Sequence, residues 1–445
     1  MSDAGLVPVM ELATLTGLGD LLGEHVRFRQ EKIRSGAANA AAKLEFVVAG
    51  MLTGADSIAD LDRVRAGGGK LLFSGVFAAS TAGILLREFT HGHTLQLAAV
   101  LRRHLVRLHQ RTGVLAGIEE QAFVDIDSLL RPVYGRAKEG ASFGHTKIAG
   151  KSVLRRGLSP LAVTISTPRA APVLAGVRLR RGSAGSAKGA ASMVRDGIRT
   201  ARDCGATRIL LRGDSAYGNS KVAAVCLDEG VDFSLTLERS ALLDAAISTI
   251  SDDAWTPVHY PDAFVDLVTG ELISHAHVAE IAYTAFTSTD RPVTARLIVR
   301  RVLDANTQDP LFPVWRYHPF LTSSDPNTYD TVAADLAHRH HAVCETTWSD
   351  LIDGPWAHQP SGHFNANAAW SILAAITHNL LRATAALTAL PGAPSTRARG
   401  ATIRRTIINV PARLARPARK PVLHLPTRWP TTRTWNRLWN NIFQT

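Results

Sequence analysis

Asp125 and Asp127 stand two residues apart in the apolar run Ala122-Phe-Val-Asp-Ile-Asp127, and Asp214 follows a second such run, Thr207-Arg-Ile-Leu-Leu-Arg-Gly213. Both runs read as strands. Side chains alternate along a strand, so Asp125 and Asp127 share a face. In α/β sheets, sites assemble at strand ends. If the two strands are neighbours, Asp127 and Asp214 converge. Two carboxylates at strand ends, joined by one from a helix, can hold two Mg²⁺ ions about 3.5–4 Å apart. Mg²⁺ takes a few carboxylate oxygens and keeps water for the rest. Such a pair activates an attacking oxygen and stabilises the leaving oxygen at a phosphodiester. The bland alternative is an Asp that forms a turn or caps a helix.

Other chemistry-bearing patterns fail. Gly67-Gly-Gly-Lys70 follows no strand and continues with Leu71, where a phosphate-binding loop needs Ser or Thr. Gly213-Asp-Ser-Ala-Tyr-Gly218 lies between a strand and a helix, but Tyr217 stands where a nucleophile elbow needs glycine. His338, His340 and His341 crowd together, as do His91 and His93, without the paired spacing of a zinc site. Cys204, Cys226 and Cys344 are few and scattered, as free thiols of a reducing compartment are.

The elements that must position the acids follow from periodicity. Residues 1–118 read as mostly helical, with Leu97, Val100, Leu101, Leu105 and Leu108 giving Leu85–Arg111 an apolar stripe. Arg103 and Arg107 lie off that stripe, on a solvated face or against DNA phosphate. Strands at 122–127, 161–167 and 173–179, a helix at 189–203, a strand at 207–212 and a helix from Asn219 make α/β order. Residues 233 to about 321 are β-rich. Two helical stretches follow, Asp330–Ile352 and Phe364–Leu387. Pro391 opens a stretch with five prolines between Pro411 and Pro430, which argue against long helices there.

The 445 residues suffice for about three domains. No apolar run reaches the roughly 18 residues of a membrane span, and no secretory signal is visible. The expectation from these features is a cytoplasmic protein without membrane contact. The net charge of +12 sits unevenly: residues 354–445 hold twelve Arg or Lys and no acid, while residues 1–353 balance at 38 of each sign. A basic block of this kind, which includes Arg404 and Arg405, marks a polyanion partner, nucleic acid first.

The segment Asp125-Ile-Asp-Ser-Leu-Leu-Arg-Pro-Val-Tyr-Gly-Arg-Ala-Lys-Glu-Gly-Ala-Ser-Phe-Gly144 resembles the block around the first catalytic aspartate of bacterial insertion-sequence DDE transposases. The group is the one named after insertion sequence thirteen-eighty. Leu211-Arg-Gly-Asp-Ser-Ala-Tyr-Gly218 resembles its second block, and Val343-Cys-Glu345 with Phe364-Asn-Ala-Asn-Ala-Ala-Trp370 its third. Glu280-Ile-Ala-Tyr283 and Leu297-Ile-Val-Arg-Arg301 resemble its inserted β region.

The resemblance implies an α/β fold with an RNase-H-like catalytic core. A helical DNA-binding region would span 1–118, the catalytic domain 119–390 with a β-rich insert at about 232–325, and a basic tail 391–445. By position, Asp127 and Asp214 correspond to the catalytic aspartates and Glu345 to the glutamate, together holding two Mg²⁺ (or Mn²⁺) ions. The implied activity is DNA transposition: cleavage of terminal inverted repeats and joining to target double-stranded DNA, by a homodimer in the synaptic complex. A bacterial, nucleoid-associated protein is implied by the same resemblance alone. The rivals are a DNA-binding protein without cleavage and a hydrolytic nuclease. Arg212 and His341 would touch phosphate. A hairpin intermediate would place Trp255 or Trp315 on a flipped base, although either Trp also suits a core. The third block departs from the family, with His338, His341 and Ile352 where it has Tyr, Arg and Lys. Asp330–Ile352 is expected as one helix turning positions 338, 341, 345 and 352 to one side, with Asp335 and Asp350 as rival acids.

Overall fold

The computed structural model describes residues 1–28, 36–66, 68–135, 137–148, 151–259, 276–303, 314–388 and 397–444. Gly67, the opening of the tail at Pro391 and parts of the expected insert lie outside them.

Seven helices come first: α1 (Leu6–Leu15), α2 (Leu18–His25), α3 (Ala40–Thr53), the short α4 (Asp62–Arg65) and α5 (Gly69–Leu72), α6 (Ala79–Arg87) and α7 (His91–Thr112). The stretch expected as one helix from Leu85 breaks at Thr90. The Thr90 hydroxyl accepts from His93 N, and His93 Nδ1 accepts from Thr90 N, so a capping box starts a new helix there. Leu97, Val100, Leu101, Leu105 and Leu108 are all buried. No single helix among the described residues is long and apolar enough to cross a membrane.

Next come β1 (Ala122–Ser128), the small strands β2 (Arg131–Pro132), β3 (Ser142–Ile148) and β4 (Lys151–Leu158), then β5 (Leu161–Ser166) and β6 (Val173–Arg178). They are followed by α8 (Ala190–Asp203), β7 (Ile209–Gly213), α9 (Ser220–Asp228), β8 (Asp232–Thr236) and α10 (Ala241–Ser248). Four more strands complete the β structure of this region: β9 (Thr256–Pro257), β10 (Ala276–Ala285), β11 (Val293–Leu303) and β12 (Trp315–Thr322). The main sheet runs β6-β5-β1-β7-β8-β12-β11-β10-β9. β1 lies parallel to β7 and β7 to β8, while β5 is antiparallel to β1. The inserted strands are thus no separate layer. They extend the same sheet through the antiparallel pairing of β12 with β8.

Val124 and Ile126 point to the α8 side of β1, where Gly197 lets the helix close on the sheet: a Cβ there would come within 2.5 Å of Val163. Phe123, Asp125 and Asp127 point the other way, toward α11 (Thr331–Arg339) and α12 (Val343–Ile352). The expected single helix 330–352 is broken by a 3₁₀ turn at His340–Ala342. The break turns its two halves to different neighbours: His338 stacks on Phe320 of β12, while His341 meets Asp125 of β1.

Helix α13 (Phe364–Ala386) is almost wholly buried and carries the centre of the core. Its Asn379 side chain both accepts from Leu174 N and donates to Leu174 O, each at 2.8 Å, satisfying the edge strand β6 as a neighbouring strand would.

The basic C-terminal segment is folded. It forms α14 (Gly400–Ile403), β13 (Arg413–Ala415), β14 (Val422–His424) and α15 (Thr432–Phe443). Ile403, Ile407, Ile408, Val410, Trp435 and Leu438 are buried in the common core. The chain start pairs with it through Ala4 N to Val410 O and Gly5 N to Ile408 O. A side chain at Gly5 would collide with Ile407 O. Deleting this segment would therefore remove core as well as charge.

Candidate active site

The register of β1 on β7 sets Asp125 opposite Arg212 and Ile126 opposite Gly213. Asp127 and Asp214 therefore follow at the same end of two adjacent parallel strands. Asp127 is half-buried. Its Oδ1 accepts from Ser128 N and its Oδ2 from the Trp348 indole N–H, both at 2.7 Å. Burial raises the Asp127 pKa, and the Asp214 charge adds to the rise against the lowering effects of Trp348 and His341. Asp214 is exposed, with Oδ1 accepting from Ala216 N at 3.0 Å. It forms the turn that the bland reading assigned to it, and its second oxygen is outside that bond.

Glu345 lies in the first turn of α12 and is exposed. Trp348, three residues on, is its neighbour on the same helix. The Trp348–Asp127 bond thus ties the helix of the third acid to the strand of the first. The two rival acids are engaged elsewhere. Buried Asp335 faces Arg300 and Arg339, and buried Asp350 binds Arg382, Arg399 and Gly400 N.

Behind Asp127 lies a closed polar cluster. Arg212 donates through Nε and Nη2 to the two Asp125 oxygens, each at 2.7 Å, and through Nη1 to Ala337 O at 2.8 Å. Its guanidinium also lies 4.2 Å from the centre of the Phe123 ring. His341 Nδ1 donates to Asp125 Oδ1 at 3.0 Å. Burial works against ionised Asp125, but Arg212 and His341 outweigh it and its pKa is lowered. Burial likewise opposes charging His341, but Asp125 outweighs it and the His341 pKa is raised.

A raised histidine pKa gives stability that is full below the unfolded value, near 6.5, and fades as pH rises through the folded one. His341→Gln is therefore expected to cost about 1.5–3 kcal/mol below pH 6.5, the range for a hydrogen bond to a charged group. The gap from wild type should narrow above that pH. Denaturant titrations at several pH values check it, and a gap independent of pH would refute the charged pair.

Asp125, His341 and Cys344 bring three ligand-type atoms within 4.8 Å of one another. A metal fits this trio poorly. The Arg212 guanidinium already occupies both Asp125 oxygens, and burial raises the Cys344 thiol well above its ordinary pKa. All three cysteines are free and buried.

The profile of transposase DDE domain group 1 matches residues 1–445. The chain belongs to this family. A search of curated proteins found no match. Among solved structures, a cryo-EM structure of a piggyBac transposase synaptic complex with hairpin DNA is similar, at 10% identity and a TM-score of 0.44 over 92% of this chain and 80% of that one.

The remaining expected contacts of this DDE-domain chain divide by exposure. Arg103, Arg107 and Arg405 are exposed. Arg404 is buried and donates to Asp353 O at 3.2 Å. Arg212 is 1% exposed, which removes it from phosphate, and His341 is turned inward to Asp125. His338 lies between the Ser234 and Thr236 hydroxyls, its pKa lowered by burial to about 3. It therefore does not flank Glu345. Trp255 and Trp315 are partly buried and enclose Arg301, which lies 4.4 and 4.5 Å from their ring centres. Sequence reasoning missed the Trp348 bond; its signal is an indole one helical turn beyond Glu345.

Proposed function

We propose that this chain is a DNA transposase that cleaves transposon ends and joins them to target DNA by metal-assisted phosphoryl transfer in an RNase-H-like core. Asp127, Asp214 and Glu345 would hold two Mg²⁺ or Mn²⁺ ions. The observation that carries the reading is the placing of Asp127 and Asp214 at one end of the parallel pair β1 and β7, near enough that the charge of Asp214 raises the Asp127 pKa. Two carboxylates that repel each other, one of them with an oxygen outside its hydrogen bond, suit hard divalent cations. When bound, the ions would supply Lewis-acid stabilisation and an activated oxygen nucleophile.

The residues around the acids set their aim. Trp348 and the Ser128 amide hold the two Asp127 oxygens. The Ala216 amide fixes one oxygen of Asp214. Asp125, Arg212 and His341 brace β1 against β7 and the turn before α12. A homodimeric synaptic complex and a nucleoid location belong to the same reading.

Cleavage is expected to require Mg²⁺ or Mn²⁺ and to be poorly supported by Ca²⁺, whose longer bonds and looser geometry misplace the attacking oxygen. A nicking assay on labelled end DNA tests this, and full activity in EDTA would sink the mechanism.

A second reading, a DNA-binding relative without cleavage, has one observation in its favour. His338 and His341, which stand where the resembled family has Tyr and Arg, are both engaged inside the fold. Cleavage of end DNA with Mg²⁺ separates the two readings. Joining of the product to a second DNA separates transposase from hydrolytic nuclease.

A further inference from the structure

The neutrality of residues 1–353 hides a local imbalance. Between Asp127 and Asp196 the chain holds thirteen Lys or Arg and a single acid, Glu139. This stretch contains the small sheet β2-β4-β3. The ribbon of β1 and β5 runs past Asp127 directly into β2 and β4, with Ser128 paired to Leu161 and Arg131 to Leu158. The small sheet therefore begins four residues from Asp127, at most about 14 Å away.

Arg169 and Arg195 of this stretch are paired with acids outside it, Glu119 and Glu120 for the first and Glu229 for the second. Other cations in and around the small sheet bind backbone carbonyls instead of carboxylates. Arg131 donates to Trp356 O, Lys138 to Ser361 O and Arg180 to Ser159 O. Their positive charge is held in place without being neutralised. Phe143 faces Arg156 and His145 faces Leu154 across β3 and β4, so these four share one face. On that face Phe143 is 61% exposed and Leu154 53%. Tyr134, 88% exposed, is next to Gly135, whose carbonyl accepts from Arg156. An aromatic ring open to solvent beside cations is what unpaired bases stack on, because every base presents a π-face while its phosphates meet the cations.

We propose that the outer face of the β2-β4-β3 sheet binds the single-stranded terminus of a DNA end, with an unpaired base stacked on Phe143 and its phosphate beside Arg156. The inference rests on the transposase reading for the identity of the DNA, but its test does not require cleavage.

The full-length protein is titrated in EDTA with two synthetic duplexes of one sequence. One is blunt. The other carries a three-nucleotide single-stranded extension with 2-aminopurine at its first unpaired position. Wild type should bind the extended duplex more tightly and quench the 2-aminopurine. Phe143→Ala should lose about 5- to 150-fold in affinity for the extended duplex, the range for one stacked base, with blunt-duplex affinity unchanged. Phe143→Trp should restore both affinity and quenching. Arg156→Gln should flatten the log–log salt dependence by about 0.7. Phe143 is exposed, so an unchanged unfolding midpoint is expected and controls for folding. Wild-type affinity and quenching in Phe143→Ala, or equal losses on both duplexes, would overturn the proposal. If these results hold but Asp127→Ala still cleaves, the metal-site reading fails and the docking face stands. If Asp127→Ala is inert and Phe143→Ala binds normally, the reverse is true.

Discussion

Asp127→Ala and Asp214→Ala should each reduce end cleavage by on the order of 10³-fold or more, about 4 kcal/mol of transition-state stabilisation, while binding to the same DNA changes little. Each removes proposed metal oxygens from the ends of β1 and β7. Neither side chain holds a large share of the DNA-facing surface. Asp214→Ala also removes the bond to Ala216 N, so Asp214→Asn is the cleaner variant: it keeps a turn-forming oxygen and loses the charge. Glu345→Gln should fall into the same class, since Glu345 is exposed and its loss leaves the core intact. Single-turnover cleavage beside a gel-shift affinity checks all three. Near wild-type turnover in any of them would exclude that residue from the site. The rival acids offer no substitute, because Asp335 and Asp350 are buried against arginines.

Asp125→Ala should behave differently: it is expected to destabilise the fold by about 3–5 kcal/mol, the effect of leaving a buried cation without its partner. Asp125 shares its strand face with Asp127, and the resemblance gives it no metal-holding role. It is instead fully buried under the bidentate grip of Arg212, which is itself 1% exposed. The double variant Asp125→Ala/Arg212→Met should recover much of the loss, because it removes both buried charges together. Urea midpoints of the two single variants and the double check this. Equal stability of Asp125→Ala and wild type would show that the pair is not buried in solution.

What the sequence determined is mostly what short-range rules control. β1, β5, β6, α8 and β7 lie where alternation and helical periodicity place them, and Asn219 caps α9 as its type predicts. The strand-end positions of Asp127 and Asp214 follow from those same runs. The imbalance between Asp127 and Asp196 was also legible, as a count of charges along the chain. Tertiary structure decided the partners. Whether Arg212 meets phosphate or Asp125 depends on strand register, which no local pattern encodes, and the parallel pairing of β1 with β7 sets the two side by side. The turn at His340–Ala342 joins two segments with partners on different strands, His338 on Phe320 of β12 and His341 on Asp125 of β1, and no local pattern encodes those partners. The basic C-terminal segment reads from the sequence as a tail without long helices because its arginines and prolines stand out in the composition. It folds because Ile407, Ile408 and Trp435 find apolar partners some four hundred residues away along the chain, in the N-terminal helices, and burying that surface outweighs the entropy of ordering the segment.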